Sequence, residues 1–135
     1  MRKFNKKSLG QNFLIDKNII IKIINLTKIK SKNIIEIGPG KGALTEEIIK
    51  QKPKTFIAIE KDNFLSNELK FKYLNNKIIK ILNKDFLKLD FEKFSAKKSI
   101  IIGNLPYNIS SQILVKILRS KQLPSFISDI IFMFQ

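Results

Sequence analysis

The sequence predicts an α/β fold built on a parallel sheet, and three observations carry that prediction. Apolar, isoleucine-rich runs alternate along the chain with stretches of helical spacing, the pattern of repeated strand–helix–strand units. The first clear run, Ile34-Ile35-Glu36-Ile37, leads straight into a glycine-rich turn and a helix start. A later run, Ile100-Ile101-Ile102-Gly103, reads as a buried strand, and a helical pattern (Ile113, Leu114, Ile117, Leu118) begins shortly after it.

The elements follow in order. Met1 to Lys7 holds four basic residues and no acid, which suits either an arm on a polyanion or an ordinary chain terminus. Asp16 is placed to cap a helix whose apolar face is Ile19, Ile20, Ile23, Ile24 and Thr27. Ser31-Lys32-Asn33 is a turn. After the first strand, a helix runs from the glycines to about Gln51 and stops before Pro53. Thr55 to Ile59 is the second strand, ending in Glu60. Asp62 to Leu74 is a helix, Lys77 to Leu82 the third strand, and Asp85 follows it. A polar connection over Asp90 to Lys98 leads to the fourth strand, Ser99 to Gly103. A helix over Ser111 to Ser120 and a fifth strand over Ile127 to Phe134 complete the pattern.

Composition narrows the chemistry. The 135 residues make one domain with enough apolar content, 44%, for a core. There is neither cysteine nor histidine. Disulfides, thiolate metal sites and imidazole acid–base catalysis are therefore excluded, and no metal site is expected. No window is long and apolar enough to span a bilayer, and the basic N-terminus lacks the apolar region of a signal peptide, so no membrane association and a cytoplasmic location are the expectation. The net charge of +15 invites an RNA partner. Lysine, isoleucine and asparagine bias is also what an AT-rich coding sequence imposes on any protein, so charge supports that partner without deciding it.

Two motifs carry chemistry. Gly38, Gly40 and Gly42 let the backbone turn tightly and approach a ligand at a helix N-terminus. Gly38-x-Gly40-x-x-Ala43 formally fits a dinucleotide fingerprint, with Glu60 near the place of its ribose-binding acid. The same strand, E-x-G-x-G and strand-terminal acid also make an S-adenosylmethionine site. Glu36 inside the strand and Pro39 in the turn favour the latter. Glu60 can accept from both ribose hydroxyls, and Asp85 from an adenine amine. Each could instead be a solvated strand end or a turn cap.

The second motif is Asn104-Leu105-Pro106-Tyr107, at the carboxyl edge of the sheet where ligands bind in such folds. The exocyclic N6 of adenine is a poor nucleophile because its lone pair is delocalised into the ring. Two acceptors gripping its N–H bonds, the Asn104 side-chain carbonyl and the Leu105 backbone carbonyl held by Pro106, favour the tetrahedral nitrogen. Tyr107 can stack on a base that has left its own stack. A turn in which Asn and Pro bend the chain and Tyr packs is the bland alternative.

Together with Leu9-Gly10-Gln11-Asn12-Phe13-Leu14, Glu36-Ile37-Gly38-Pro39-Gly40, Glu60, Asp85 and Asn104-Leu105-Pro106-Tyr107-Asn108-Ile109-Ser110, these motifs resemble the ribosomal RNA adenine N6-dimethyltransferase family (KsgA type). The resemblance implies a Rossmann-like class I S-adenosylmethionine-dependent methyltransferase fold. It implies N6-dimethylation of two adjacent adenosines near the 3′ end of small-subunit (16S) ribosomal RNA, on a pre-30S particle, by a monomer. It places Asn12 and Leu14 on the cofactor from an N-terminal segment spanning residues 1–14, Gly38 at its methionine part, Glu60 at the ribose, Asp85 at the adenine, and Asn104 between cofactor and target. Members of the family continue past an F-M-x-Q strand into further strands and a helical domain, so residues 1–135 are expected to be the catalytic domain without that extension. Related readings remain: a resistance-type methyltransferase of a large-subunit (23S) adenosine, and a non-catalytic ribosome-assembly factor of the same fold. An NAD-dependent oxidoreductase has no use for Asn104 to Tyr107.

Overall fold

The computed structural model describes residues 16–90, 97–121 and 123–134. Five strands form one sheet: β1 (Asn33–Ile37), β2 (Thr55–Glu60), β3 (Ile79–Asn83), β4 (Ser99–Leu105) and β5 (Ile127–Phe134). They lie in the order β3-β2-β1-β4-β5, every neighbouring pair parallel. Helices α1 (Lys17–Ile24), α2 (Ala43–Lys50), α3 (Asn63–Lys72), α4 (Tyr107–Leu118) and the short α5 (Leu123–Phe126) connect or flank them.

Both faces of the sheet are covered, which is why its strands are apolar at successive positions rather than at every second one. Side chains alternate in direction along each strand. Ile34 on β1, Phe56 and Ala58 on β2, and Ile100 and Ile102 on β4 meet Ile20, Ile23 and Ile24 of α1 and Leu44 and Ile48 of α2. Ile35, Ile37, Ile59 and Ile101 face the other way, onto Ile113 and Ile117 of α4, with Phe86 and Phe126 in the same cluster.

The fold class and the five strands match the sequence expectation, and several boundaries shift. The Asp16 carboxylate caps α1 by accepting from the Asn18 and Ile19 N–H groups, as expected. The helix nevertheless ends at Ile24, so Thr27 lies beyond it, Ile19 is 39% exposed, and the loop residue Ile29 is buried instead. Strand β3 begins at Ile79 rather than Lys77 and runs through Asn83. Strand β4 continues through Asn104 and Leu105, because its pairing with β5 extends to Leu105 opposite Phe134. Helix α4 starts at Tyr107 rather than Ser111, since the Pro106 carbonyl accepts from both Ile109 and Ser110 N–H groups. Asn108 and Ser110, which precede the expected helix start, occupy its first turn. No helix among the described residues is long and apolar enough to cross a membrane.

Ile101 is fully buried at the centre of the sheet, whereas Phe71 on α3 is 83% exposed. Ile101→Ala is expected to lower unfolding free energy by about 2–5 kcal/mol in denaturant titration. Phe71→Ala, despite its larger truncation, is expected to stay within about 0.5 kcal/mol.

Candidate functional site

The order β3-β2-β1-β4-β5 reverses the direction of strand succession between β1 and β4, leaving a crevice at their carboxyl ends. A cavity of about 600 Å³ opens there. Gly38, Gly40, Glu60, Asp85, Asn104, Leu105 and Pro106, widely spaced in sequence and all singled out from it, line this one cavity.

The glycine loop between β1 and α2 has three left-handed residues, Gly38 (φ +67°), Gly40 (φ +59°) and Gly42 (φ +87°). At Gly42 space also matters: an added Cβ would stand 2.7 Å from Leu69 Cδ2. The loop is fastened to β2. The Gly38 N–H donates to the Ile59 carbonyl at 2.9 Å, and the Gly40 N–H donates to Glu60 Oε2 at 2.9 Å. Glu60 Oε1 accepts from the Asp62 N–H, also at 2.9 Å. Glu60 therefore holds the loop and the start of α3, a structural duty its position as a strand-terminal acid did not reveal. Each of its oxygens keeps a second lone-pair direction for a ligand. Burial pushes its carboxyl upward in pKa, opposed by those two N–H groups.

Asp85 leaves β3 into the 3-10 turn Phe86–Lys88 and caps it, Oδ1 accepting from the Leu87 N–H at 3.0 Å. Lys61 Nζ stands 3.2 Å from its Oδ2. Burial raises the Asp85 pKa, but the Leu87 N–H, Lys61 and Lys88 outweigh it and hold the carboxyl below its ordinary value. Asn83 ties this end of β3 to β2 by donating to the Glu60 and Lys61 carbonyls at 3.0 and 3.2 Å.

Two residues bear on the cavity in ways no local pattern shows: Lys116 did not read as a site residue, and Glu36 read as a motif residue without its buried, protonated state. Lys116, half-buried on α4, donates to the Leu87 carbonyl at 2.8 Å and to the Leu89 carbonyl, with its ammonium 5.7 Å from the Phe86 ring centroid. It straps the cavity wall that follows Asp85 to the helix that follows Asn104. Glu36, 1% exposed, accepts from the Thr45 hydroxyl at 2.6 Å. Burial lifts its pKa from an ordinary 4.5 to about 8 against the lowering effect of Thr45, and nearby Glu60 adds to the rise.

Asn104 is half-buried as the next-to-last residue of β4, beside the glycine loop across the β1–β4 pair. The Leu105 side chain is buried beneath that loop: a Cβ on Gly38 would lie 3.5 Å from Leu105 Cδ2. Pro106 precedes α4 with φ −56° and ψ 139°, and Tyr107 is the first residue of that helix. The Tyr107 side chain, Asn12, Leu14 and the rest of residues 1–15 lie outside the described residues.

Two outcomes follow from this geometry. With Glu36 protonated in the fold up to about pH 8 and ionised in the unfolded chain above about 4.5, the native state holds the extra proton in that window. Its contribution to stability is full below pH 4.5 and declines, by at most about 1.4 kcal/mol per unit, as pH rises through 8. Thermal unfolding from pH 5 to 8 should show that decline, and Glu36→Gln should flatten it to the part that Glu60 contributes with the same sign. An equal slope in both proteins would contradict a buried, neutral Glu36. Lys116→Met should cost about 1–3 kcal/mol by leaving two carbonyls without their donor. It should also speed amide hydrogen exchange at Leu87, Lys88 and Leu89 more than elsewhere.

Comparison with known proteins converges on one family. The profile described as "Ribosomal RNA adenine dimethylase" matches residues 2–135. The chain is 45% identical over 130 residues to "Ribosomal RNA small subunit methyltransferase A" of Pelagibacter ubique, covering 96% of this chain and 49% of that protein. The protein of the same name from Mycoplasmopsis pulmonis is 45% identical over 118 residues, covering 87% of this chain and 45% of the relative. The chain thus spans about half the length of the curated relatives it matches. Among solved structures, the 23S rRNA methyltransferase ErmE superposes with TM-score 0.78 at 27% identity, covering 92% of this chain and 48% of ErmE. A dimethyladenosine transferase from Plasmodium falciparum superposes with TM-score 0.76 at 30% identity, covering 92% of this chain and 43% of that one. A glycine loop pinned to a strand-terminal acid, facing Asn104 across a parallel pair, is the local frame of this match, and the chain belongs to the ribosomal RNA adenine dimethylase family.

Proposed function

We propose that this chain carries the catalytic site for S-adenosylmethionine-dependent N6-dimethylation of two adjacent adenosines near the 3′ end of small-subunit (16S) ribosomal RNA. The observation that carries the reading is the meeting of Asn104, Leu105 and Pro106 with Gly38, Gly40, Glu60 and Asp85 around one cavity. The relatives named for the small ribosomal subunit, at 45% identity, support that substrate class.

The residues present fit the cofactor. A cavity of about 600 Å³ is in the range of small-molecule sites. At Gly38 the absent Cβ leaves backbone open to a ligand above Leu105. The donor set is that of a nucleoside site: Glu60 offers carboxylate oxygens for ribose hydroxyls, Asp85 an acceptor for an amine, and Phe86 an apolar wall. Asn12 and Leu14 are proposed to close it from the N-terminal segment. When bound, S-adenosylmethionine supplies an electrophilic methyl group on a cationic sulfonium, which is why the site needs no strong base.

The chain's own part is positioning. The amide oxygen of Asn104 accepts one N6–H of the target adenine, and the Leu105 carbonyl, set by Pro106, accepts the other. Both acceptors favour the nitrogen geometry in which its lone pair is available. Tyr107 stacks on the extruded base. The partner is the small-subunit RNA in a pre-30S particle, and the protein acts as a cytoplasmic monomer.

The test is to incubate the chain, expressed with whatever coding sequence continues beyond Gln135, with tritiated S-adenosylmethionine and undermethylated ribosomal subunits. Label at adjacent adenosines near the small-subunit 3′ end, reduced at least a hundredfold by Asn104→Ala, is expected. Label confined to large-subunit RNA would transfer the chain to the activity named for ErmE. Cofactor binding without label on either RNA would leave a factor that keeps the fold and lacks the chemistry.

A further inference from the structure

We propose that the amino edge of the sheet, opposite the cavity, is a second RNA-contacting surface, binding the phosphates of a segment that flanks the target nucleotides. The inference rests on the RNA substrate of the proposed function and adds a surface to it.

Three loops meet at that edge: residues 25–32 before β1, residues 51–54 before β2, and Lys97-Lys98 before β4. They are laced together by their backbones. The Ser31 N–H donates to the Lys52 carbonyl at 3.1 Å, and the Lys54 N–H donates to the Lys32 carbonyl at 2.8 Å. The Asn33 amide donates to the Lys98 carbonyl at 3.1 Å and accepts from the Thr55 hydroxyl at 2.7 Å. This lacing brings Lys30, Lys32, Lys52, Lys54, Lys97 and Lys98 to one exposed edge, and residues 25–32, 51–54 and 97–98 themselves hold no aspartate or glutamate. Asp129, in register with Ile100 near the start of β4, also stands at this end of the sheet, whereas at the carboxyl edge Glu60, Asp62 and Asp85 interrupt the lysines.

Backbone strain coincides with the charge. Among the described residues, the non-glycine residues in the left-handed region are Ser31 (φ +62°) and Lys52 (φ +55°), the pair joined by the first of those hydrogen bonds. Lys52 follows the end of α2, where glycine or asparagine is the residue of least cost. A lysine held there, where glycine would cost less, adds a charge to the β2 side of the patch.

The two edges are separated by the length of a strand, on the order of 15–20 Å. An RNA lying on both would pass around the domain rather than enter the cavity twice. Phosphates suit the patch because lysine is a compact charge on a flexible stem, able to follow a backbone without reading bases.

The experiment measures binding of the chain to an RNA fragment of the small-subunit 3′ end across a salt series. It compares the wild type with a variant carrying Lys30→Gln, Lys32→Gln, Lys52→Gly and Lys54→Gln. The variant is expected to bind at least tenfold more weakly at low salt, with the logarithmic salt slope reduced by about three. S-adenosylmethionine binding by calorimetry should be unchanged. Lys52→Gly alone should raise the melting temperature while lowering the slope by about one, opposite directions that a purely structural lysine would not give. An unchanged slope in the quadruple variant, with methyl transfer intact, would overturn the surface and leave the proposed activity standing. Equal weakening toward an acidic polypeptide such as polyglutamate would overturn the assignment to RNA. A wild type, expressed as in the methyl-transfer test above, that binds this RNA with the expected slopes yet transfers no methyl group would overturn the activity and support the surface.

Discussion

The site depends on the pairing of β1 with β4, in which Ile37 lies opposite Gly103. That register sets the glycine loop and Asn104 side by side at the same edge, although they are far apart in sequence. It also explains why two glycines stand near the contact. A Cβ on Gly103 would come within 3.1 Å of the Ile37 carbonyl and 3.2 Å of Leu105 Cγ, and one on Gly38 would approach Leu105 Cδ2. Leu105 fills the space that both lack. A parallel pair is held only while both faces of the sheet are covered, so the isoleucine layers beneath α1 and α2 and beneath α4 are the condition for the site as well as for the fold.

Three carboxyl groups around the cavity are held in different electrostatic settings. Glu36 is buried with one hydroxyl partner and is neutral at pH 7. Glu60 is pushed upward by burial but accepts two backbone N–H groups, and Asp85 is held low by an N–H and two lysines. The cavity therefore presents acceptors at the ends of β2 and β3 without three full negative charges in one small volume. Neutralising Glu36 also spares the glycine loop a repulsive partner for Glu60, the group that pins it. Lys116 adds a mechanical link, because α4 begins at the end of the Asn104-Leu105-Pro106-Tyr107 tetrapeptide and ends near the wall it straps.

How much of this was legible depended on range. Strands such as Ile34–Ile37 and Ile100–Gly103 announced themselves because both faces are buried, and Glu60 and Asp85 because acids at strand ends are conspicuous. The start of α4 was misplaced because Asn108 and Ser110 are as common in turns as in first helical turns, and only the Pro106 carbonyl settles the difference. Lys116 was invisible: a lysine in the middle of an amphipathic helix has the same local signature whether it faces solvent or two carbonyls. Glu36 was legible as a motif residue, but its neutrality follows from packing around β1, which no local pattern records. Leu105 read as a backbone acceptor, while its side chain has the additional duty of supporting Gly38.

Charge segregation between the two edges has a simpler candidate cause, the helix dipole. In a parallel α/β fold every connecting helix points its N-terminus to the carboxyl edge and its C-terminus to the amino edge. Acids at the former and lysines at the latter are then stabilising on local grounds. Asp16 and Asp62 at helix N-termini, and Lys22, Lys50 and Lys116 in last turns, fit that account. The dipole's effect fades beyond the terminal turn. Lys30, Lys32 and Lys54 stand past it, and Lys97 and Lys98 precede β4 rather than following a helix, so the dipole does not reach the lysines that the interloop hydrogen bonds bring together. Lys52, just beyond α2, lies within reach of the dipole, yet an ammonium on a long stem gains that interaction from a right-handed residue equally well. The left-handed backbone at Lys52 is that of the residue capping α2, its N–H donating to the Ile49 carbonyl, and what the cap does not require is a lysine; the Lys52 carbonyl in turn accepts from Ser31 and closes the edge into a single surface.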